Sequence, residues 1–147
     1  MVIPVVQPHK VTSPYGWRYL NEEREFHKGI DLISEKGIRD VISAFDGIVT
    51  YDQDDYKEIF RWTEKHHSAG NMVIVRHELP SGLYYIRYIH LINNIVCKGQ
   101  KVFEGAKLGV YADVGKSYGP HLHVDAYDMN WRPVNITLLF NQGGLLL

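Results

Sequence analysis

The chain has 147 residues, of which 45% are hydrophobic, and a formal net charge of −1 at pH 7. This length suits a single domain, residues 1–147, with a buried core, and the composition excludes a disordered chain. The near-neutral charge excludes the basic surface typical of nucleic-acid-binding proteins.

Cysteine and histidine usage narrows the kinds of site that the chain can hold. The single cysteine, Cys97, excludes an internal disulfide and an all-cysteine zinc site, whereas the chain has eight histidines. Residues 1–8 lack a basic segment, and no run approaches the ~20 apolar residues that span a bilayer. We therefore expect neither a classical signal peptide nor membrane insertion, and any metal ligands to be imidazole and carboxylate.

The first candidate ligands are His27 and Asp31, in the segment HKGID. Gly29 and the β-branched Ile30 favour an extended chain, in which positions four apart share one face. Taken alone, this spacing is weak, and a structural histidine beside a solvated aspartate is the more common arrangement.

Apolar and β-branched runs, separated by Gly, Pro, Asn and Asp, predict one mostly antiparallel β domain. Four runs predict strands, at residues 41–51, 71–77, 83–91 and 121–127. Between the first two lies a charged insertion, residues 52–70, where apolar residues three or four apart are compatible with a short helix within 54–65. Loops of this length are usually functional or mobile.

The histidines of the middle of the chain carry weak signals individually. His90 ends an aromatic-rich strand, and such a histidine is more often structural than catalytic. His77 also lies at the end of a predicted strand, and we expect it to be a structural histidine or to lie at the rim of the site. His9, His66 and His67 are expected in solvent, with substrate contact as the alternative for the last two.

Residues 109–117 (GVYADVGKS) have a partial likeness to a phosphate-binding loop. Five residues rather than four separate the two glycines, and a strand rather than a helix follows. Nucleotide binding is therefore not expected.

His121 and His123 (HLH) project from one face of a predicted strand, whereas Leu122 points to the other face. Two imidazoles on one face are hard to explain by packing, because buried polar groups need partners. Asp125 continues this face, where it would orient a ligating imidazole. A solvated strand carboxylate is the alternative for Asp125.

Together, these residues have the composition of a catalytic zinc site. Two histidines and one carboxylate supply three protein ligands and leave a fourth position for water. Zinc lowers the pKa of that water towards ~7 and polarises a carbonyl, and two further histidines would transfer a proton or stabilise an oxyanion. Calcium and magnesium would require more oxygen ligands.

A series of motifs extends these observations over about residues 10–140. In chain order they are TSPYGWR (12–18), FHKGID (26–31), AFDGIV (44–49), YIHL (88–91), GQKV (99–102) and GKSYGPHLH (115–123), followed by Pro133. The series resembles the lysostaphin-like zinc metallopeptidases with the LytM-type catalytic domain. The 52–70 insertion departs from the shorter connections expected in that family.

The resemblance implies a zinc ion (Zn2+) held by His27, Asp31 and His123. It also implies that His90 and His121 are catalytic histidines that do not bind the metal. Glutamate is common in the family at the position of Asp125, so this chain keeps the carboxylate with one methylene less.

The implied function is that of a zinc metalloendopeptidase that hydrolyses cross-links or stem peptides of bacterial cell-wall peptidoglycan. Such an enzyme acts on the cell wall from outside the cell or as a phage-borne lysin. Two alternatives on the same fold are a non-catalytic wall-binding or activator module and a structural component of a phage tail. All five site residues are present, which favours the enzyme, because binding modules of this fold have usually lost metal ligands.

Overall fold

The computed structural model describes residues 1–59, 62–63, 65–117 and 119–142. This part of the chain forms twelve β-strands and one α-helix. The strands are β1 (His9–Ser13), β2 (Gly16–Leu20), β3 (Glu23–His27), β4 (Gly29–Ser34), β5 (Asp40–Ile42), β6 (Gly47–Gln53), β7 (Asn71–Leu79), β8 (Gly82–Ile92), β9 (Lys101–Val102), β10 (Lys107–Tyr111), β11 (Leu122–Tyr127) and β12 (Pro133–Val134), and the helix is α1 (Ile136–Gln142).

Ten strands form one large sheet whose main path runs β1-β4-β11-β8-β7-β6-β9. Strands β10 and β5 extend from β8, and β12 pairs with β11. The remaining strands, β2 and β3, form a separate antiparallel hairpin. The predicted mostly antiparallel β fold is confirmed.

The large sheet has a buried face and a more open face. In β11, Leu122, Val124 and Ala126 are fully buried in the core, whereas the alternate residues His123, Asp125 and Tyr127 lie on the other face. Helix α1 packs on the buried side, where Ile136 and Phe140 join the apolar core. The alternation along β11 therefore places one face in the core and leaves the other to polar side chains.

Three of the predicted strands occur close to their expected positions, as β7, β8 and β11. The prediction of one strand over residues 41–51 is wrong, since the segment forms β5 and β6 with a turn between them. In that turn the Ser43 hydroxyl donates to the Phe45 carbonyl oxygen over 2.7 Å, and Gly47 begins the next strand. A local side-chain bond thus competes with strand pairing.

The described residues of the insertion contain no helix; Phe60, Arg61 and Glu64 lie outside the described residues. The Asn71 side chain organises the segment instead. Its Oδ1 accepts from the Tyr56 backbone N–H over 2.9 Å, and its Nδ2 donates to the Tyr56 carbonyl oxygen over 2.6 Å. Within the described residues, no helix has the length and apolar character needed to cross a membrane.

Candidate metal centre

Three ligand-type side chains converge where β3, β4 and β11 meet. The His123 Nδ1 atom lies 2.9 Å from Asp31 Oδ1 and 3.1 Å from His27 Nε2, and His27 Nε2 lies 3.3 Å from Asp31 Oδ1. The register of β4 against β11 sets Asp31 directly opposite His123. His27 is the last residue of the β2–β3 hairpin, so two separate sheets supply this cluster.

The other nitrogen of each imidazole is bound to a hydrogen-bond acceptor. His27 Nδ1 donates to the Pro14 carbonyl oxygen over 2.9 Å, and His123 Nε2 donates to Asp125 Oδ2 over 3.0 Å. Because carbonyl and carboxylate oxygens only accept, the proton of each neutral ring lies on that side. The lone pairs of His27 Nε2 and His123 Nδ1 are therefore directed at Asp31, as metal coordination requires.

The donor set fits a zinc ion. Ligand atoms about 2.0–2.1 Å from a tetrahedral zinc lie about 3.3 Å from one another, close to the observed separations of 2.9–3.3 Å. Two imidazoles and one carboxylate also match the chemistry of zinc sites that keep an open position.

Gly29 allows β4 to approach this cluster closely. A Cβ atom at Gly29 would lie 2.2 Å from the Val124 carbonyl oxygen and 2.9 Å from the Cε1 and Nε2 atoms of His123. A larger residue would therefore displace the histidine ring or separate the strands.

The charges within the cluster depend strongly on one another. Burial lowers the pKa of His123, but its hydrogen bonds to Asp125 and Asp31 outweigh this and raise it to about 9. Burial likewise raises the pKa of Asp31, whereas hydrogen bonds from His123 and His27 hold it well below its usual value. The cluster thus attracts positive charge, and binding of a cation there competes with a proton.

Arg87 is a member of the site that the sequence did not reveal. Its Nε and Nη2 atoms donate to Asp125 Oδ1 and Oδ2 over 2.7 and 2.6 Å. Burial raises the pKa of Asp125, but the hydrogen bonds and positive charges of Arg87 and His123 together outweigh burial and hold this pKa below its usual value. The carboxylate is thus fixed in place and charged, and it fixes the His123 ring. Arg87 lies opposite Asp125 across β8 and β11. The sequence could have indicated this ion pair only if the register of the two strands were known.

His90 and His121 lie beside the cluster, with their ring centroids 4.8 Å apart. His90 Nδ1 donates to the Val114 carbonyl oxygen over 2.8 Å, and His121 Nδ1 donates to that of Gly119 over 2.9 Å. The His121 Nε2 atom lies 3.6 Å from Asp31 Oδ1. Burial, together with the positive charge of neighbouring His121 and His123, lowers the pKa of His90 to about 4, so this ring is neutral at pH 7.

An open groove of about 600 Å³ runs over these residues. Arg18 lines its other wall, where Nη1 donates to Ser13 Oγ over 2.8 Å and lies 3.4 Å from Asp31 Oδ2. Lys116, Ser117 and Pro120 complete the rim next to His121. All five predicted site residues line this groove: His27, Asp31, His90, His121 and His123.

The remaining histidines lie elsewhere. His77 is fully buried in the core, where its Nδ1 atom donates to the Asp46 carbonyl oxygen over 2.9 Å. Among the described residues that line the groove, His9, His66 and His67 are absent. Asp125 is buried and paired, so the alternative of a solvated carboxylate is wrong.

The profile of peptidase family M23 matches residues 25–136, which include all the residues of the cluster. The chain belongs to peptidase family M23. The resemblance to lysostaphin-like peptidases that the motifs predicted is confirmed.

Two curated relatives illustrate the sequence similarity. The peptidoglycan DD-endopeptidase ShyA of Vibrio cholerae is 35% identical over 135 residues, which cover 90% of this chain and 28% of ShyA. The DD-carboxypeptidase/endopeptidase Mpg of Neisseria meningitidis is 30% identical over 128 residues, covering 86% of this chain and 26% of Mpg. The chain therefore spans about a quarter of the length of these relatives.

Solved structures share the fold. A zinc-containing peptidase from Vibrio cholerae superposes with a TM-score of 0.65 at 29% identity, covering 90% of this chain and 37% of that one. The catalytic domain of lysostaphin from Staphylococcus simulans gives a TM-score of 0.62 at 20% identity, with 90% of each chain covered.

Proposed function

We propose that this chain is a zinc-dependent endopeptidase that hydrolyses peptide bonds of bacterial cell-wall peptidoglycan. The observation that carries the proposal is the convergence of two imidazole lone pairs and a carboxylate at an open groove, beside two histidines outside that cluster. The curated relatives named as peptidoglycan DD-endopeptidases support this substrate class and a site of action at the cell wall.

In this proposal His27 Nε2, Asp31 Oδ1 and His123 Nδ1 would hold the zinc ion. When bound, zinc acts as a Lewis acid that polarises the scissile carbonyl and lowers the pKa of water. Asp125 keeps the proton of His123 on Nε2, so that Nδ1 remains a ligand. Arg87 holds Asp125 in the ionised form that this task requires.

His90 and His121 perform the proton transfers. The Nδ1–H group of each ring donates a hydrogen bond to a backbone carbonyl oxygen. The Nε2 atom of the neutral ring therefore carries a lone pair and can act as a base. A neutral Nε2 accepts a proton from the attacking water, and the protonated form donates a hydrogen bond to the oxyanion or a proton to the leaving amine. His90 suits the first role because it is neutral at pH 7.

The test is mass spectrometry of the fragments released from purified peptidoglycans of different cross-link chemistry, with and without a chelator. We expect peptide fragments from at least one of them, loss of release with the chelator, and recovery with added zinc. The His90→Ala and His121→Ala variants should retain zinc but release nothing, whereas Asp31→Ala should lose both properties. Zinc retained at full stoichiometry in Asp31→Ala would contradict the ligand set.

Two other outcomes have defined meanings. A folded, zinc-loaded chain that binds peptidoglycan but releases no fragment would be a wall-binding module rather than a peptidase. Copurification with virions would place the peptidase on a phage particle, and its absence from virions would leave the hydrolytic proposal unchanged.

A further inference from the structure

An aromatic platform lies on the open face of the large sheet, away from the metal cluster. It consists of Tyr85, Tyr127 and Trp131. The Trp131 and Tyr85 rings are stacked, with centroids 4.6 Å apart and planes inclined by 20°, and the Tyr127 ring lies 5.6 Å from Trp131. Trp131 nevertheless remains 51% exposed. The three rings form one contiguous aromatic surface rather than a single exposed side chain, and contiguous apolar patches mark interaction sites.

The backbone holds Trp131 in this position at a conformational cost. Its φ is +59°, a left-handed value that bulky residues rarely adopt. Asp128 fixes the turn. Its Oδ1 atom accepts from the backbone N–H groups of Asn130 and Arg132, and its backbone carbonyl oxygen accepts from the backbone N–H of Trp131. Strained residues that surrounding structure maintains are concentrated at functional sites. The strain and the exposure therefore point to a ligand for the platform.

The platform and the His27–Asp31–His123 cluster lie on the same face of the sheet, towards opposite ends of β11. His123, Asp125 and Tyr127 alternate along β11, and the last two lie opposite Arg87 and Tyr85 of β8. The Arg87 guanidinium links the two regions, since it pairs with Asp125 and its Cζ atom lies 5.0 Å from the Tyr127 ring centroid. His123 and Tyr127 are four steps apart along the strand, which corresponds to about 13 Å.

We propose that the aromatic platform binds a sugar ring of the glycan strand to which the substrate peptide is attached. A pyranose presents a flat C–H face that packs on an aromatic plane, and its hydroxyl and N-acetyl groups accept hydrogen bonds from cationic donors. Arg76 of β7 lies opposite Tyr85, so a second arginine lies on the same face of the sheet as Arg87.

The distance also fits a substrate that joins sugar to peptide. An extended peptide of about four residues spans about 13 Å, and stem peptides of this length separate the glycan strand from its cross-links. A sugar on the platform would thus place a stem-peptide bond near the metal cluster. This inference rests on the proposed function, but sugar binding can be measured without catalysis.

The first experiment is a titration of the zinc-loaded chain with a β-1,4-linked N-acetylglucosamine tetramer, followed by NMR of the tryptophan indole N–H groups. We expect the Trp131 signal to shift and the exposed Trp17 signal to remain unchanged. The Trp131→Asn variant removes the ring while keeping a residue that tolerates the left-handed conformation, and it should weaken binding by about threefold to tenfold. Phe103→Ala is the matched control, because Phe103 is also exposed and lies under a cation, Lys101.

The second experiment compares KM for cross-linked peptide dimers with and without their disaccharides. Trp131→Asn should raise the ratio of the two KM values, and Phe103→Ala should not. Hydrolysis without tetramer binding, or an equal KM change for both substrates, would overturn the platform proposal while leaving the peptidase intact. Tetramer binding without hydrolysis of any peptide would support the platform and refute the proposed function. Binding of an apolar protein surface in place of the sugar would also overturn the proposal.

Discussion

Asp125 determines which nitrogen of His123 faces Asp31 and His27. It accepts from His123 Nε2 over 3.0 Å while Arg87 binds both of its oxygens. In Asp125→Asn the neutral amide would bind the imidazole less strongly and, if its NH2 group turned to the ring, would favour the tautomer that cannot coordinate. We expect a loss of about 10- to 100-fold in zinc affinity, the usual effect of removing such a partner.

Competition with a chromogenic chelator measures this affinity directly. Asp40→Asn is a suitable control, because Asp40 forms an exposed pair with Lys107 over 3.3 Å, distant from the cluster in the fold. An unchanged zinc affinity in Asp125→Asn would show that the Asp125 carboxylate does not set the tautomer of His123.

The buried His77 side chain should make the free energy of unfolding depend on pH, independently of the His27–Asp31–His123 cluster. Burial lowers its pKa from 6.5 to about 4, against a smaller upward effect of its bond to the Asp46 carbonyl. The unfolded state therefore binds more protons between these values, so His77 contributes stability that is present above pH 6.5 and is lost as the pH falls to about 4. The full shift corresponds to ~3 kcal/mol.

A His77→Gln variant isolates this effect, because glutamine retains an N–H donor but does not titrate. Urea denaturation should show that the wild-type protein loses stability relative to the variant by about 3 kcal/mol between pH 7 and pH 4. His67→Gln, with its side chain 61% exposed, is the control. Parallel pH profiles for wild type and His77→Gln would refute the assignment.

At the residue scale, the sequence indicated candidate side chains but not their partners. The resemblance to LytM-type peptidases implied His27, Asp31, His90, His121 and His123, whereas the spacing of these residues taken alone was a weaker signal. The carbonyl oxygens of Pro14 and Val114 orient two of these rings. Any residue type supplies such an oxygen, so no sequence pattern distinguishes these positions.

At the scale of elements, the end of the 52–70 insertion supports His90. The backbone N–H of His90 donates to the Ala69 carbonyl oxygen, and that of Lys116 donates to Ser68. The two segments approach closely because Gly70 and Gly115 lack side chains. A Cβ at Gly115 would lie 2.4 Å from the Gly70 nitrogen. The insertion is therefore tied at this end to the groove that His90 lines.

The Gly115→Ala substitution should separate these segments and shift the Val114 carbonyl that orients His90. We expect kcat to fall by about tenfold or more, as small displacements of catalytic groups commonly cause, while zinc remains bound. Gly99→Ala is a close control. Gly99 has a φ of +92°, close to the +83° of Gly115, but no atom would lie within 4 Å of the added Cβ. An equal fall in kcat in the two variants would show that backbone strain, and not the separation of the two segments, causes the loss.

Element boundaries were less predictable than element types. The central strands were predicted because each is a long run rich in apolar, β-branched and aromatic residues, as in β7 and β8. Helix α1 was missed, although Asn135 caps it by accepting from the Thr137 N–H over 3.0 Å, and Ile136, Leu139 and Phe140 have helical spacing. Seven residues give too few turns for this period to stand out.

At the scale of the whole molecule, the proposed zinc ion would join two sheets. His27 belongs to the β2–β3 hairpin, whereas Asp31 and His123 belong to the large sheet. Arg18 of β2 also links the hairpin to the cluster, since it reaches Ser13 and Asp31. Removal of zinc should therefore weaken the hairpin more than the central strands.

Thermal unfolding and hydrogen exchange together test this expectation. Free zinc at about 100 times its Kd stabilises the folded state by about 2.7 kcal/mol, which corresponds to a Tm increase of about 5–10 °C for a chain of this size. A chelator should reverse that increase and should speed amide exchange in β2 and β3, with β8 little affected because it pairs with strands on both sides. Asp31→Ala should show no Tm response to the chelator. Uniformly faster exchange across the chain would mean that zinc stabilises the whole fold rather than fastening the hairpin to it.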